Sequence, residues 1–421
     1  MKSLKTIAQR CLLSSIKRAM LLFWLLLPSI TGGVGGWVLT SCEREPPLHL
    51  YDAQEITTDL PLVDLDLQIF WDYEMAFDVH YDWRAEWFYG WDAEDGELGY
   101  TEPTVFNLRR YYTRDVPYAP HTSVIAPPPF SGTHYQDRFD WGYWDVLVWN
   151  EIKTLDGVQS LIFDETTTLD YVTATTGPSM NPSRYHAPRH TRSFHAPEPL
   201  FSAYEQGIEI NRNLDGFVYD PERNVYVRKL KMMLYPITYI YLTQVILHNN
   251  NGRIKEVIDY SNLSGMASST TLNTGTAGDD PITIYYTSNL KADCPLVPFG
   301  TRDDAPERAT AEHADIIGGR LMTFGMCGQT PRLIKSVKDV TDVNKHYMDV
   351  TVRFYNDMDS TIVFDVTDQV RQRYKGGVIT VELNMDEVPI PSRKGGSGFD
   401  AVVKDFEDGG THEFEMKDEK I

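Results

Sequence analysis

Between residues 71 and 92 the chain sets acids among large aromatics. The run is Trp71-Asp72-Tyr73-Glu74, then Trp83-Arg84-Ala85-Glu86-Trp87-Phe88-Tyr89-Gly90-Trp91-Asp92. Glycoside hydrolysis needs paired carboxylates, and sugar rings stack on Trp and Tyr faces. The sharp expectation is a glycan site, of host or microbial origin, contacted by Trp83, Trp87 and Trp91. The plainer expectation is a domain core whose tryptophans alternate with solvated acids. With 60 Asp and Glu in the chain, neighbouring carboxylates arise by chance.

A second cluster holds His186, His190 and His195 beside Arg184, Arg189 and Arg192. The four-residue spacing of His186 and His190 would suit a metal on one helical face, but Pro188 between them breaks such a helix. A solvated basic loop against an acidic surface is the expectation, and no metal site is assigned. Other reaction motifs are missing. There is no Gly-x-Ser-x-Gly elbow, no phosphate loop and no dinucleotide fingerprint, and His412-Glu413 lacks the second His of a zinc-peptidase helix. Asp357-Met358-Asp359-Ser360 lacks the glycine and distal Glu of an EF-hand. The chain reads as non-enzymatic, with no catalytic residue and no cofactor.

The strongest local signal lies at the start. Lys17-Arg18 closes a basic region, the apolar run 19–27 follows, and Pro28 stops it. That length suits a signal-peptide core and is about half of the ~20 residues a membrane-spanning helix needs. Leu39-Thr40-Ser41-Cys42 then resembles a bacterial lipobox, which makes residues 1–41 a lipoprotein signal peptide and Cys42 the lipidated residue tethering the mature chain to a membrane. Removing the leader leaves 34 basic against 60 acidic side chains, a net charge of −26 over 380 residues. So acidic a surface repels phosphate backbones, and no nucleic-acid partner is expected. Cys294 and Cys327 are the remaining cysteines; in an oxidising compartment they form either one disulfide or two buried thiols.

The elements that would position these groups read as strands. Val63, Leu65, Leu67 and Ile69 alternate with Asp64, Asp66 and Gln68, the period of a half-buried strand. Further strand runs are 144–149, 158–163, 169–172, 237–242, 245–247, 282–286, 348–354 and 377–383, with a turn at Asn249-Asn250-Asn251-Gly252. Short helices are expected only at 260–266 and 367–374, with Thr367 or Asp368 as the cap of the latter. Short strands separated by turn residues indicate antiparallel sandwiches. No tryptophan follows Trp149, which argues for two separately built cores. The Pro-rich stretch 176–199 reads as the seam, with the boundary placed loosely near 215–224. The divisions are an N-terminal Trp-rich domain at 42–220, a C-terminal domain at 221–405 and an acidic tail at 406–421.

Four stretches together carry a family resemblance. The lipobox with Cys42-Glu43-Arg44-Glu45, followed by Leu62-Val63-Asp64-Leu65-Asp66-Leu67, resembles Bacteroidetes lipoproteins of the fimbrillin superfamily. Tyr143-Trp144-Asp145-Val146-Leu147-Val148-Trp149-Asn150 is similar to a strand of fimbrial anchor subunits, and Glu198-Pro199-Leu200-Phe201 to the step before their second domain. Phe364-Asp365-Val366-Thr367-Asp368-Gln369-Val370, Gly376-Gly377-Val378-Ile379-Thr380-Val381 and Ile390-Pro391 resemble their C-terminal strands. The resemblance implies an all-β chain of two tandem transthyretin-like Greek-key β-sandwiches. It implies a surface-exposed outer-membrane lipoprotein that anchors or assists fimbria assembly and adhesion, joined to other fimbrial subunits by strand addition. Arg44 lies two residues past Cys42, so cleavage there would sever the anchor, which favours an anchor or tip role over a stalk subunit. A surface glycan-binding lipoprotein using the Trp-rich domain is the alternative.

Overall fold

The structure is a computed structural model describing residues 60–69, 81–114, 116–152, 160–164, 171–178, 193–258, 260–391, 400–403 and 414–416. Cys42, Trp71, Glu74, His186 and His190 lie outside the described residues. In chain order the strands are β1 (Leu62–Ile69), β2 (Val105–Arg114), β3 (Ser123–Ile125), β4 (Phe130–Ser131), β5 (His134–Arg138), β6 (Gly142–Asn150), β7 (Leu161–Asp164), β8 (Thr173–Thr176), β9 (Ser193–His195) and β10 (Phe201–Ile210). Then come β11 (Val218–Asp220), β12 (Val225–Pro236), β13 (Tyr239–His248), β14 (Ile254–Val257), β15 (Ser261–Ala267), β16 (Ser269–Thr271), β17 (Pro281–Tyr286) and β18 (Ser288–Pro295). The series ends with β19 (His313–Thr323), β20 (Tyr347–Phe354), β21 (Asp359–Asp365), β22 (Gly377–Asn384), β23 (Asp400–Val403) and β24 (Phe414–Met416). The chain is all-β, and the described helices are single turns or little more, such as Thr367–Gln372.

The first sheet runs β3-β2-β6-β10-β12-β1-β5, with β11 added on β12 and β4 on β2. Its two ends face each other across one core. Val63, Leu65 and Leu67 of β1 and Met232 and Leu234 of β12 pack with Phe106, Leu108, Trp144, Val146 and Val148. The alternation of β1 therefore buries Val63, Leu65 and Leu67, and Ile69 at its end is half-buried. The expected boundary at 220/221 falls inside the β11–β12 hairpin. By pairing, β12 belongs to the first sheet, because Val227–Leu234 run parallel to the whole of β1.

The second core lies between a four-stranded sheet, β18-β19-β13-β22, and an eight-stranded one, β24-β23-β21-β20-β15-β17-β9 with β14 on β20. Tyr241, Val245, Leu247, Ile379 and Val381 meet Leu263, Ile284, Val350, Val352, Ile362 and Phe364 there. The runs expected at 237–242 and 245–247 form one strand, β13, that is buried on both faces. The 176–199 stretch is woven in at its ends: β8 pairs with β16, and β9 pairs in parallel with β17.

The helix expected at 260–266 is strand β15. Leu263 and Met266 have the three-residue spacing of a helical face, yet both point into the second core. A bulge between Ser264 and Met266 supplies the extra residue that realigns them. Gly265 sits in the bulge at φ +83°, where a Cβ would lie 2.8 Å from His346 Nδ1. In the 367–374 helix Thr367 lies inside the first turn, and Val366 holds the cap position.

Candidate functional site

Residues 81–100 lie as a strap across the outer face of the four-stranded sheet. Trp83, Trp87 and Tyr89 pack on Ile240, Leu242, Ile246, Ile316, Met322 and Val378. This explains why β13 is buried on both faces. It also changes what the tryptophan distribution means: Trp83 and Trp87 complete a core made mostly of C-terminal residues, while Trp144 and Trp149 belong to the first sheet.

Polar hooks hold the strap along its length. Gln244, fully buried in β13, accepts from the N–H groups of Phe88 (3.0 Å) and Tyr89 (3.3 Å) and donates to Glu86 O (2.7 Å) and Thr380 Oγ1 (2.8 Å). All four of its amide hydrogen-bonding positions are thus engaged, which removes the cost of burying it. Arg320 donates to Leu98 O (2.7 Å) and Gly99 O (3.1 Å), and burial lowers its pKa. Arg373 places Nη2 2.7 Å from both carboxylate oxygens of Glu86 and stacks 3.9 Å over the Tyr81 ring. Lys291 lies 4.1 Å over the Tyr89 ring and reaches Asp92 at 2.6 Å and Asp95 at 3.2 Å. Gly318 of β19 makes room for the strap, since a Cβ there would overlap the Tyr89 ring.

This geometry bears on the sugar-stacking expectation. Trp83 is 5% exposed and Trp87 0%, so neither ring has a free face in this conformation. Trp91 is half-buried and spends its Nε1–H on Gly96 O (3.0 Å). Glu86, Asp92 and Asp95 are engaged by Arg373 and Lys291. Of the two alternatives for the cysteines, the structure has the two thiols. Cys294 and Cys327 are free buried thiols in two different core clusters, and burial pushes the Cys327 thiol up to about 12. His195 contacts Tyr285, and among the described residues no three metal-ligating side chains converge.

Two buried ionic clusters escaped the sequence reading. Asp145, in the anchor-like Tyr143–Asn150 stretch, is 1% exposed. Its carboxylate meets His121 Nε2 at 2.9 Å, accepts from Tyr204 Oη at 2.8 Å and accepts from Gly207 N–H at 2.8 Å. Gly207, at φ +68°, occupies the bulge that bends β10 between Glu205 and Ile208, so the aspartate pins that bend. Burial, with Tyr171 and Asp145 adjacent, raises the Tyr204 pKa.

The second cluster ties the loop after β19 to β15. His346 Nε2 lies 2.7 Å from Asp342 Oδ2 and its Nδ1 3.2 Å from Ser264 O, both residues being buried. Burial alone would raise the Asp342 pKa, but hydrogen bonds from His346 and Asn344 outweigh it and leave the carboxyl below its usual value. A depressed folded-state pKa stabilises above the unfolded value near ~3.9 and loses that contribution as pH falls through the folded value. Unfolding free energy between about pH 5 and about pH 2 should therefore fall more steeply for the natural chain than for Asp342→Asn. Equal slopes would contradict this role.

The sheet edges are guarded in different ways. On β22 the outward backbone is satisfied by side chains: Val378 N–H donates to Tyr81 Oη (2.9 Å), and the Gln369 amide pairs with both N–H and C=O of Thr380 (2.9 and 2.8 Å). On β18 a bulge with Asp293 at φ 55° breaks the edge. β3 and β4 are short and separated by Pro127, Pro128 and Pro129. Such devices prevent indiscriminate pairing. At β21 the edge is covered by the chain's own C-terminal part. β23 runs parallel to it in the register Thr361↔Asp400 to Phe364↔Val403, and β24 pairs beyond.

The comparisons with known proteins concern overall fold. No family model and no curated protein matches the sequence. Among solved structures the chain is similar to a "putative adhesin" from Bacteroides ovatus ATCC 8483 (TM-score 0.45, 11% identity, covering 78% of this chain and 94% of that one). It is also similar to a "putative adhesin" from Bacteroides thetaiotaomicron VPI-5482 (0.40, 10%, 78% and 93%) and to the fimbrial anchor protein Mfa2 from Porphyromonas gingivalis (0.34, 9%, 76% and 90%). No described helix is long and apolar enough to cross a membrane.

Proposed function

We propose that the protein is a non-catalytic cell-surface subunit of the adhesion or fimbria-assembly type, held at the outer membrane by lipid on Cys42 and joined to other subunits by strand exchange at β21. The observation that carries this reading is the edge of the eight-stranded sheet. Its outer strands β23 and β24 follow β22 in the same chain and pair onto β21, while β22 is closed by fixed side chains. Backbone pairing along β21 supplies affinity to any extended segment that replaces β23, and alternate side chains set its register. The leader supports the surface location through its lipobox.

Labelled palmitate should enter the chain and be lost on Cys42→Ala, and the labelled protein should be recovered from outer membranes in complexes with other surface subunits. A chain that takes no palmitate would remove the anchor. A labelled chain recovered only as a monomer would remove the assembly role.

A further inference from the structure

The loop between β19 and β20 exposes aliphatic side chains among basic ones. Leu333 is 68% exposed, Val337 46% and Val343 87%. Between and beside them the exposed cations are Arg332, Lys335, Lys338 and Lys345. Of the loop's two acids, Asp342 is buried, and the exposed Asp339 is taken up by its own turn. Asp339 Oδ2 accepts from Lys335 N–H (3.2 Å), Ser336 N–H (3.0 Å) and Ser336 Oγ (3.1 Å), closing its own turn. Asp342 is consumed by His346 and Asn344. Of the cations, Lys345 reaches Asp365 (3.3 Å) and Arg332 lies over Tyr235, while Lys335 and Lys338 stand beside Val337 at the exposed turn.

The aliphatics are not outward because the loop is loose. Ile334 is buried in the second core, and the Gln329 amide donates to Thr341 Oγ1 (2.8 Å) and accepts from Thr341 N–H (3.4 Å). Arg371 donates to Asp342 O (3.0 Å). A braced loop that presents aliphatics among lysines is complementary to a surface that is anionic at its face and apolar beneath, and at physiological ionic strength the body's acids beyond about 8 Å are largely screened from it. We propose that this loop docks on an anionic lipid bilayer, with Lys335 and Lys338 at the phosphates and Leu333, Val337 and Val343 at the acyl boundary. The inference deepens the membrane-tethered reading above: the lipid would fix the chain to the membrane, and the loop would fix which face of the body meets it.

The test places an environment-sensitive fluorophore on Val343→Cys in the full chain with Cys11 and Cys42 replaced by alanine, and adds vesicles. Cys294 and Cys327 are buried and remain unlabelled in the native protein. Phosphatidylglycerol-containing vesicles should shift the emission to the blue, and phosphatidylcholine vesicles should not. Lys335→Glu with Lys338→Glu should weaken the response about tenfold or more. Leu333→Ser with Val337→Ser, which leaves the charges in place, should also weaken it. Emission unchanged by anionic vesicles would overturn the proposal, as would a shift that appears only on addition of an acidic protein. With Cys42 replaced, the result does not depend on whether that residue carries lipid, so a failed anchor and a failed loop are told apart.

Discussion

Trp87→Ala should cost about 3–5 kcal/mol of folding stability, the range for truncating a fully buried large aromatic. The residue is 0% exposed, and its ring packs with Tyr89 at 5.6 Å between centroids. With total stabilities of about 5–15 kcal/mol typical of globular domains, one such loss leaves little reserve. The prediction separates a strap from a sugar platform, because a platform residue can be truncated with loss of ligand and little loss of stability. Trp91→Ala, at a half-buried position, should cost clearly less. Gly318→Val approaches the strap from the other side. It puts a branched side chain where the Tyr89 ring lies, so residues 81–100 should become a preferred site of proteolytic nicking. Chemical denaturation of Trp87→Ala matching the natural chain would refute the strap, as would an uncut 81–100 segment in Gly318→Val.

Asp145→Ala should be the second large effect, on the order of 3–5 kcal/mol, because it leaves buried polar partners without their counter-group. His121, Tyr204 and the Gly207 N–H all point at one carboxylate that is 1% exposed. Asp145→Asn keeps a carbonyl oxygen for the Gly207 N–H and should cost less, about 1–3 kcal/mol. The ordering matters more than either magnitude. If the asparagine variant were as unstable as the alanine variant, the charge would matter and the bulge would not. If both were as stable as the natural chain, the network would be ornamental.

How much of this could be read in the sequence depends on the range of the interaction. The alternation in β1 is local, and it located a strand in which Val63, Leu65 and Leu67 are buried and Ile69 is half-buried. The strands β6, β17, β20 and β22 were equally legible from their β-branched and aromatic runs. β15 was misread because Gly265 hides a bulge, and a bulge shifts a period-two pattern into one that looks helical. The strap was illegible as such, since nothing local says that Trp87 will cover a strand more than 150 residues away, where Gln244 receives it. Two clues existed: a glutamine inside the apolar Tyr239–His248 strand, and paired glycines at 318 and 319 inside an aliphatic one. Both signal that something polar or bulky comes close. The tryptophan count misled for the same reason, because composition follows the chain and the strap crosses from one core to the other.

The proposed assembly role requires that β21 be an edge which β23 covers and can vacate. A reversible lock tests this directly. Thr361 and Asp400 are register partners in the parallel β21–β23 pair, so the double variant Thr361→Cys with Asp400→Cys can tie the terminus in place. The measurement is recovery of multisubunit complexes from the outer membrane of cells bearing this variant, oxidised and then reduced. Strand exchange predicts that the oxidised protein is found alone and that reductant restores the complexes. Complexes formed equally well by the locked protein would contradict it.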